Sequence, residues 1–251
     1  MMSNFIAPEN LIGSGAQAEI YLWDGQVIKL FHRGTPDATV QNEADIQQKL
    51  YLSGLPVPRV FGMATLDSRP AILMEHLPGP SLGDVMLNDL AHAGDYIHAA
   101  AALHAQMHTI GGEGLPAQSD KLRRKINSTP LLDEDEKQRL LSLLVRLDSG
   151  RAVCHGDFHP YNIIQTKSGL AVIDWADATC GSAPADVCRS YLLYLLHGRE
   201  AAGPYLDAYC AIASMKKEAI LEWLPVIAGA RLEETGRGDD VELLLRLARM
   251  A

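Results

Sequence analysis

Basic residues are scarce in this sequence. Among 251 residues there are 22 lysines and arginines against 31 acidic residues, a formal charge of −9, and only the run 121–125 concentrates positive charge. A stripe of cations that could follow a nucleic-acid backbone is therefore missing. We expect no nucleic acid among the partners of this protein.

The sequence also has only four cysteines, and it contains no long apolar run. The spacing of the four cysteines matches no metal-knuckle or redox motif, so reduced thiols in a cytoplasmic protein are expected. The first ten residues combine neither a basic start nor an apolar stretch, and no segment reads as membrane-spanning. We therefore expect neither export nor membrane association, and the sequence indicates no oligomeric state.

What remains is the composition of an ordinary folded domain. Hydrophobic residues make up 47% and charged residues 21% of the chain, values typical of globular rather than disordered proteins. The length allows one large domain or two small lobes.

The first 75 residues have the pattern of an antiparallel sheet. Asp24-Gly25 separates two β-prone runs and favours a tight hairpin turn. Gly13 to Gly15 should end the first strand in a flexible turn. The predicted strands cover residues 11–15, 18–23, 26–31, 56–61 and 70–74.

Two charged residues in this region fall at positions that favour apolar ones. Residues 37–52 predict a helix, and Glu43 lies inside its apolar stripe, where an unpaired carboxylate would be costly. Lys29 shares a strand face with Val27 and Phe31. Each of the two charges needs a partner of opposite sign.

After Pro78-Gly79-Pro80 the pattern is mainly helical, so the chain is divided into lobes at 1–75 and 76–251. The exception is a hairpin around Lys167-Ser168-Gly169, in which antiparallel pairing would place Asn162 opposite Asp174. The predicted helices cover residues 96–110, 133–147, 186–197, 216–224 and 240–250.

The segment His155-Gly156-Asp157-Phe158-His159-Pro160-Tyr161-Asn162, followed by Val172-Ile173-Asp174-Trp175, resembles the catalytic core of the aminoglycoside phosphotransferase and choline kinase superfamily. The resemblance extends to residues 13–29, to Glu43 and to residues 55–58. It implies an α+β, protein-kinase-like two-lobed fold, with a small antiparallel-sheet N-terminal lobe and a mainly helical C-terminal lobe. The implied activity transfers the γ-phosphoryl group of ATP, or of GTP, to a hydroxyl of a small molecule.

Phosphoryl transfer depends on positioning and charge neutralisation, and the resemblance assigns those tasks. Asp157 would be the catalytic base, which binds the acceptor hydroxyl and takes its proton late. Asn162 and Asp174 would hold Mg²⁺, an ion that prefers oxygen ligands. Lys29 would contact the nucleotide phosphates and be positioned by Glu43.

The resemblance also assigns residues to nucleotide binding and to structural support. Gly13, Ser14 and Gly15 stand where the family has a phosphate-covering hairpin. Glu75 and Leu77, with His76 between them, would offer backbone groups to the purine base of the nucleotide. His155 would pack beneath the catalytic loop, and Asp186 would cap a helix or support that loop.

Two other functions compete with this interpretation. His155, Asp157 and His159 alternate, and such a triplet could form the metal site of a hydrolase. A catalytically inactive pseudokinase, acting as a nucleotide-binding or interaction module, is the non-enzyme alternative. The presence of Lys29 and of all the residues assigned to catalysis and to metal binding argues against both.

The acceptor is expected to be small, because residues 174–186 leave no room for a protein-kinase activation segment. In addition, Gly156 replaces the arginine that in many protein kinases pairs with a phosphorylated activation segment. Aminoglycosides, amino alcohols and sugars are acceptors in this superfamily. Residues 76–251 carry 17 basic and 23 acidic side chains, a balance that fits a cationic acceptor or simply a solvated surface. Candidate pocket residues, named from position alone, are Tyr191, Tyr194, Glu233, Glu234, Asp239 and Asp240.

Overall fold

The computed structural model describes residues 7–15, 17–148, 150–235 and 240–251. Its N-terminal part contains a five-stranded antiparallel sheet with strand order β1-β2-β3-β5-β4. The strands of this sheet are β1 (Leu11–Ser14), β2 (Ala18–Trp23), β3 (Gln26–Phe31), β4 (Val60–Leu66) and β5 (Arg69–Glu75).

The β2–β3 hairpin forms as predicted. Trp23 pairs with Gln26, and both residues of the intervening turn have positive φ, 48° at Asp24 and 72° at Gly25. These are the left-handed conformations that a two-residue turn demands, and glycine adopts them without a Cβ penalty. The hairpin therefore fixes the register in which Lys29 lies opposite Ile20.

Helix α1 (Asp37–Leu52) has the predicted bounds and packs on one face of the sheet. Its apolar side chains Val40 and Ala44 form a core with Phe31 and Ile72 from the strands. The helix is followed by Gly54, whose φ of 85° suits a chain reversal after a helix.

One predicted strand is displaced. The expected strand at 56–61 begins only at Val60 and continues to Leu66, and the stretch before it is irregular. Pro56 and Pro58 explain the shift, since neither can donate a backbone hydrogen bond to a neighbouring strand. The Pro56 carbonyl instead accepts from the amide of Val172 at 2.8 Å.

The C-terminal part is mainly helical. A capping box holds the start of the helix at Glu134–Leu147 (α5), where Asp133 and Glu136 each accept a hydrogen bond from the other's backbone amide. The helices after α1 are α2 (Leu82–Asn88), α3 (Ala93–Met107), α4 (Gln118–Ser128), α5 (Glu134–Leu147), α6 (Ala183–His197), α7 (Arg199–Ala213), α8 (Lys217–Leu221), α9 (Leu224–Arg231) and α10 (Val241–Ala248).

The sequence analysis missed α2, α4, α7 and α9, and its predicted helix at 216–224 corresponds to α8 and ends where α9 begins. Helix α7 contains Pro204, which normally ends or kinks a helix. Burial of Tyr205 and Tyr209 on the core side of α7 outweighs that local preference. Helix α4 was missed because it is strongly polar and buries only Gln118 and Ile126.

Short strands lie between α5 and α6. Strand β6 (Ala152–Cys154) pairs with β9 (Thr179–Gly181), and β7 (Ile163–Thr166) pairs with β8 (Gly169–Val172) around a turn at residues 167–168. The predicted second hairpin therefore exists. Asn162 does not lie in its first strand, however, because it ends a short 3-10 helix that begins at Pro160.

The chain divides into two compact units, each with its own core. The first contains Met1–Ser81 and Ile164–Ala176, and the second contains Leu82–Ile163 and Asp177–Ala251. This is a two-lobed α+β fold, as predicted. The assignment of nucleotide binding to residues 1–75 and of catalysis to 76–251 stays a prediction. Among the described residues, no helix combines the length and apolarity needed to cross a bilayer.

Candidate active site

A buried cluster of three charges lies in the first unit. The Nζ of Lys29 is 2.6 Å from Oε1 of Glu43 and 3.0 Å from Oδ1 of Asp174. The sheet supplies the lysine, helix α1 supplies the glutamate, and the aspartate follows β8. The expectation that Lys29 and Glu43 need partners of opposite sign is confirmed, and the two residues pair with each other.

Burial and charge act against each other at this lysine cluster, defined by Lys29, Glu43 and Asp174. Burial alone would lower the pKa of Lys29, but the two carboxylates outweigh it and raise the pKa above its ordinary value. The Glu43 side chain is 5% exposed, whereas that of Asp174 is 50% exposed. Asp174 therefore has carboxylate surface available to a solvent-side ligand.

The backbone at Asp174 is also unusual. Its φ is 62°, a left-handed conformation that non-glycine residues seldom adopt. Such strain persists where the surrounding structure enforces it, and it concentrates at functional sites. The adjacent Trp175, fully buried, donates its indole N–H to the Val172 carbonyl at 3.1 Å and anchors this turn.

The residues assigned to nucleotide binding lie at strand ends in the first unit. Gly13 and Ser14 end β1, and the amide of Gly15 donates to the Ala18 carbonyl at 2.9 Å across the turn. Glu75 ends β5, and its amide donates to the Arg59 carbonyl at 2.8 Å. Leu77 follows, half-buried, after the strand. Their contacts with a nucleotide stay predictions, and Ala16 of the glycine turn lies outside the described residues.

In the second unit, the 155–162 loop holds Asp157 and Asn162 together. The side-chain amide nitrogen of Asn162 donates to the Asp157 carbonyl at 3.0 Å and lies 3.2 Å from Nε2 of His159. Because the amide nitrogen makes these contacts, the amide oxygen is the atom of Asn162 that can serve a cation. That is the donor type Mg²⁺ prefers.

Asp157 is ionised at neutral pH. Burial opposes ionisation, but His159 and the Arg189 guanidinium hold the pKa of Asp157 well below its usual range. The His159 Nε2 is 3.4 Å and the Arg189 Nη2 is 3.5 Å from the carboxylate. Such a carboxylate keeps its charge and is a weak base, so it can accept a hydrogen bond from a hydroxyl and take its proton only late in a reaction.

A buried aspartate supports the same loop. Asp186 accepts the backbone N–H groups of His155 at 2.7 Å and of Gly156 at 2.8 Å. It is not the helix cap, because α6 begins at Ala183 with Ser182 as the N-cap residue. Of the two roles that the sequence allowed, loop support is the one that this geometry confirms.

The sequence analysis missed the residues behind Asp186. His104, in the last turn of α3, and His108, which caps the end of α3, contact its Oδ2 through their Nε2 atoms at 3.0 and 3.2 Å. Their Nδ1 atoms lie 2.6 Å from the Tyr205 hydroxyl and 2.7 Å from that of Tyr209. The i, i+4 spacing of the two histidines was the available indication.

Arg189 was also missed, although it follows Asp186 by one helical turn on α6. Its Nε donates to the Gly156 carbonyl at 3.2 Å, and its Nη2 lies 2.6 Å from the Glu234 carboxylate. Among the pocket candidates named from position, Glu234 contacts this arginine, whereas Asp240 caps α10. Tyr194 packs against Tyr205, and Asp239 lies outside the described residues.

Gly156 is required by the loop's shape. Its φ is 81°, and a Cβ there would lie 2.8 Å from the Asp177 carbonyl oxygen. Any larger residue would be strained in backbone and in space. The substitution of glycine for the protein-kinase arginine therefore has a local steric cause.

The triplet proposed as a hydrolase metal site is not assembled. His155 is fully buried, and its Nδ1 accepts the Asp157 backbone amide at 3.2 Å, so it packs beneath the loop as the resemblance implied. Within the part of the chain that the structure describes, the residues that bring three potential metal ligands together are His104, His108 and Asp186. Their contacts with one another, the two tyrosines and the loop amides account for all three.

Comparison with known proteins decides the family. The family model described as "Phosphotransferase enzyme family" matches residues 10–223, which is most of the chain. The chain belongs to this phosphotransferase family. A search of curated proteins found no significant match.

Solved structures show the same kinase-like fold as this phosphotransferase. An aminoglycoside-3'-phosphotransferase of type VIII is 23% identical, with a TM-score of 0.60 over 88% of this chain and 89% of the other. Choline kinase LicA from Streptococcus pneumoniae is 16% identical, with a TM-score of 0.64 over 96% and 92%. The APH(2")-IIa complex with streptomycin and ATP is 18% identical, with a TM-score of 0.60 over 96% and 89%.

Proposed function

We propose that this phosphotransferase transfers the γ-phosphoryl group of ATP, with GTP as an alternative donor, to a hydroxyl of a small molecule. The observation that carries the proposal is the lysine cluster, in which a buried ammonium is held between two carboxylates. Burying a charged lysine costs desolvation energy even when it is paired, and positioning nucleotide phosphates is a role that would account for its presence here. The ATP complex of a structural relative supports the choice of donor.

Mg²⁺ fits the residues present. The half-exposed Asp174 carboxylate and the amide oxygen of Asn162 are hard oxygen ligands, and we assign both to the ion. When bound, the ion neutralises phosphate charge. Lys29 binds the phosphates, and Glu43 holds the lysine in place.

Asp157 is assigned to the acceptor. Its ionised carboxylate accepts a hydrogen bond from the hydroxyl and orients the oxygen for in-line attack. Because the pKa of Asp157 is lowered, the proton moves to it only as the bond to phosphorus forms. The Asp186 carboxylate keeps the loop amides, and hence Asp157, in position.

Two measurements test the proposal. ATP should raise the melting temperature only when Mg²⁺ is present, with about 2.7 kcal/mol of added stability at a hundredfold excess over the Kd. ADP release should then depend on an acceptor, in a screen of aminoglycosides, amino alcohols and sugars. Absence of an Mg²⁺-dependent nucleotide shift would contradict the kinase assignment. Nucleotide binding without transfer to any acceptor would favour the pseudokinase alternative.

A further inference from the structure

A cleft beside the 155–162 loop is lined by an unusual number of cations. It lies within the second unit, between α4, α6 and α9, and its cavity volume is about 40 Å³. That volume suits only a few water molecules, so an entering group has to take space from the lining, as exchange with a lining side chain would allow. The cations that line it are Lys121, Lys125, Arg189 and Arg231, four of the 22 basic residues of an acidic chain.

One carboxylate in this cleft meets three of these cations. Glu234 contacts Lys125 directly, and its Oε2 lies 2.6 Å from Nη2 of Arg189 and 2.8 Å from Nη1 of Arg231. The other carboxylates on the lining are Asp177, which pairs with Lys121, and Asp186, which is engaged by the loop amides and histidines. The lining therefore has four cations against three carboxylates, and a fourth carboxylate, that of Asp157, lies 3.5 Å from Arg189 just outside it.

The cations crowd one another. Burial and the neighbouring Lys121 lower the pKa of Lys125 to about 8. Burial and Arg231 likewise lower the pKa of Arg189. Burial is the larger cause in both cases, and the neighbouring cation adds to it, so further positive charge beside these side chains is unfavourable.

The cleft adjoins the carboxylate assigned to the acceptor. Arg189 spans the two, with its Nη2 3.5 Å from Oδ1 of Asp157 and 2.6 Å from Glu234. Gly156 belongs to the lining as well. A molecule with one group in the cleft could therefore present a hydroxyl to Asp157.

We propose that this cleft binds an oxyanion group, phosphate or carboxylate, carried by the acceptor, and that this group exchanges with the Glu234 carboxylate. The inference rests on the proposed function for the identity of the acceptor, but not for anion binding. An ammonium group in the same place would have to displace one of three cations from Glu234. The cleft thus selects acidic acceptors, and the acidic balance of residues 76–251 reflects solvated surface.

Inorganic phosphate probes the cleft without any turnover. Phosphate should raise the melting temperature of the wild-type protein, and Lys125→Gln and Arg231→Gln should each weaken its Kd by about tenfold or more, the loss expected for one charged hydrogen bond. Arg123→Gln, on the exposed face of the same helix as Lys125, removes the same charge and should leave the Kd unchanged.

Glu234→Gln gives an effect of opposite sign. If the carboxylate occupies the anion site, its neutralisation should tighten phosphate binding severalfold, whereas loss of a merely structural ion pair would not. Lys29→Ala, in the first unit, should leave phosphate protection intact while it weakens nucleotide binding. If the rise in melting temperature caused by phosphate were lost in Lys29→Ala and retained in Lys125→Gln, the inference would be overturned and the kinase assignment would stand.

Matched acceptors then distinguish the sources of the oxyanion. Glucose, glucosamine, glucuronate and glucose 6-phosphate share a ring and differ in charge, and ADP release is compared among them. A lower KM for the acid or for the phosphate, abolished by Lys125→Gln, supports the inference and identifies the group. A preference for glucosamine, or a Kd for phosphate unchanged in both cleft variants, contradicts it.

Discussion

The Lys29–Glu43 pair offers the sharpest test of the site's physical basis. In Glu43→Gln the side chain keeps its shape and its oxygen can still accept from Lys29, so the change removes charge alone. The lysine remains buried, and its remaining carboxylate partner is Asp174, at 3.0 Å. We expect lower stability and weaker Mg²⁺-dependent ATP binding, because the lysine loses its positioning contact.

The magnitude follows from burial. A hydrogen bond to a charged group contributes about 1.5–3 kcal/mol, and the complete loss of a partner from a buried pair costs about 3–5 kcal/mol. Here a neutral hydrogen bond survives, while Asp174 is half exposed and screened by solvent. We therefore expect a loss of about 1.5–3 kcal/mol, equivalent to about 3–12 °C in melting temperature for a chain of this size.

A matched control lies on the same sheet. Glu19 pairs with Arg69 at 2.7 Å, nearly the same distance, but its side chain is 29% exposed. Glu19→Gln should cost less than about 1 kcal/mol, as partly exposed ion pairs do. Thermal unfolding followed by circular dichroism compares the two variants, with ATP titrated in the presence and absence of Mg²⁺.

Equal destabilisation by the two substitutions would refute the reasoning, since burial is the property that distinguishes the pairs. A double variant adds a second criterion. Lys29→Met with Glu43→Leu removes both charges and should be less destabilised than the two single variants together, because neither charge is left unpaired. The same double variant should have no Mg²⁺-dependent ATP shift.

Three further outcomes are expected. Asp157→Asn should lower kcat by about 10²–10⁴ with nucleotide affinity nearly unchanged, and a folded variant with near wild-type turnover would contradict its assignment as the base. Asp174→Asn should weaken Mg²⁺-dependent ATP binding as well as turnover, because a metal ligand acts before the chemical step; calorimetry with and without Mg²⁺ separates the two effects. Burial lowers the pKa of His104 from 6.5 to about 3, so the unfolded chain takes up its proton first as pH falls below about 6.5. The free energy of unfolding should therefore decrease by up to about 1.4 kcal/mol per pH unit as the pH falls from 6.5 to 4.5. In urea unfolding, His104→Gln should make this pH dependence weaker. An unchanged pH dependence in the variant would exclude His104 as its source.

Residue types and short-range spacing were sufficient to predict four of the five described strands of the N-terminal sheet, and the two charged residues that need partners. Asp24-Gly25 determined a turn that only left-handed backbone conformations can make, and α1 followed from its apolar stripe. Glu43 inside that stripe predicted a buried cation, because a carboxylate there must be compensated. These conclusions hold because they depend on neighbours within one or two turns of chain.

Helices that contradict their own local preferences were not predictable in this way. Helix α7 contains Pro204 and is stabilised by the burial of Tyr205 and Tyr209, side chains that also bond to histidines on α3. Its partner surface comes from a segment about a hundred residues away in the chain. Periodicity within a window cannot report such a contact.

The sequence by itself determined which chemical groups this phosphotransferase has: the buried lysine and its glutamate, the Asp157 loop and the glycine that shapes it. Tertiary structure decided what surrounds them. In the sequence, Lys121 and Lys125 belong to a short basic run with no predicted structure, and Arg189 is an ordinary residue of a predicted helix. Packing of α4, α6 and α9 places them in one cleft around Glu234, beside Asp157, because charges distant in sequence act together only when folding brings them within a few ångströms.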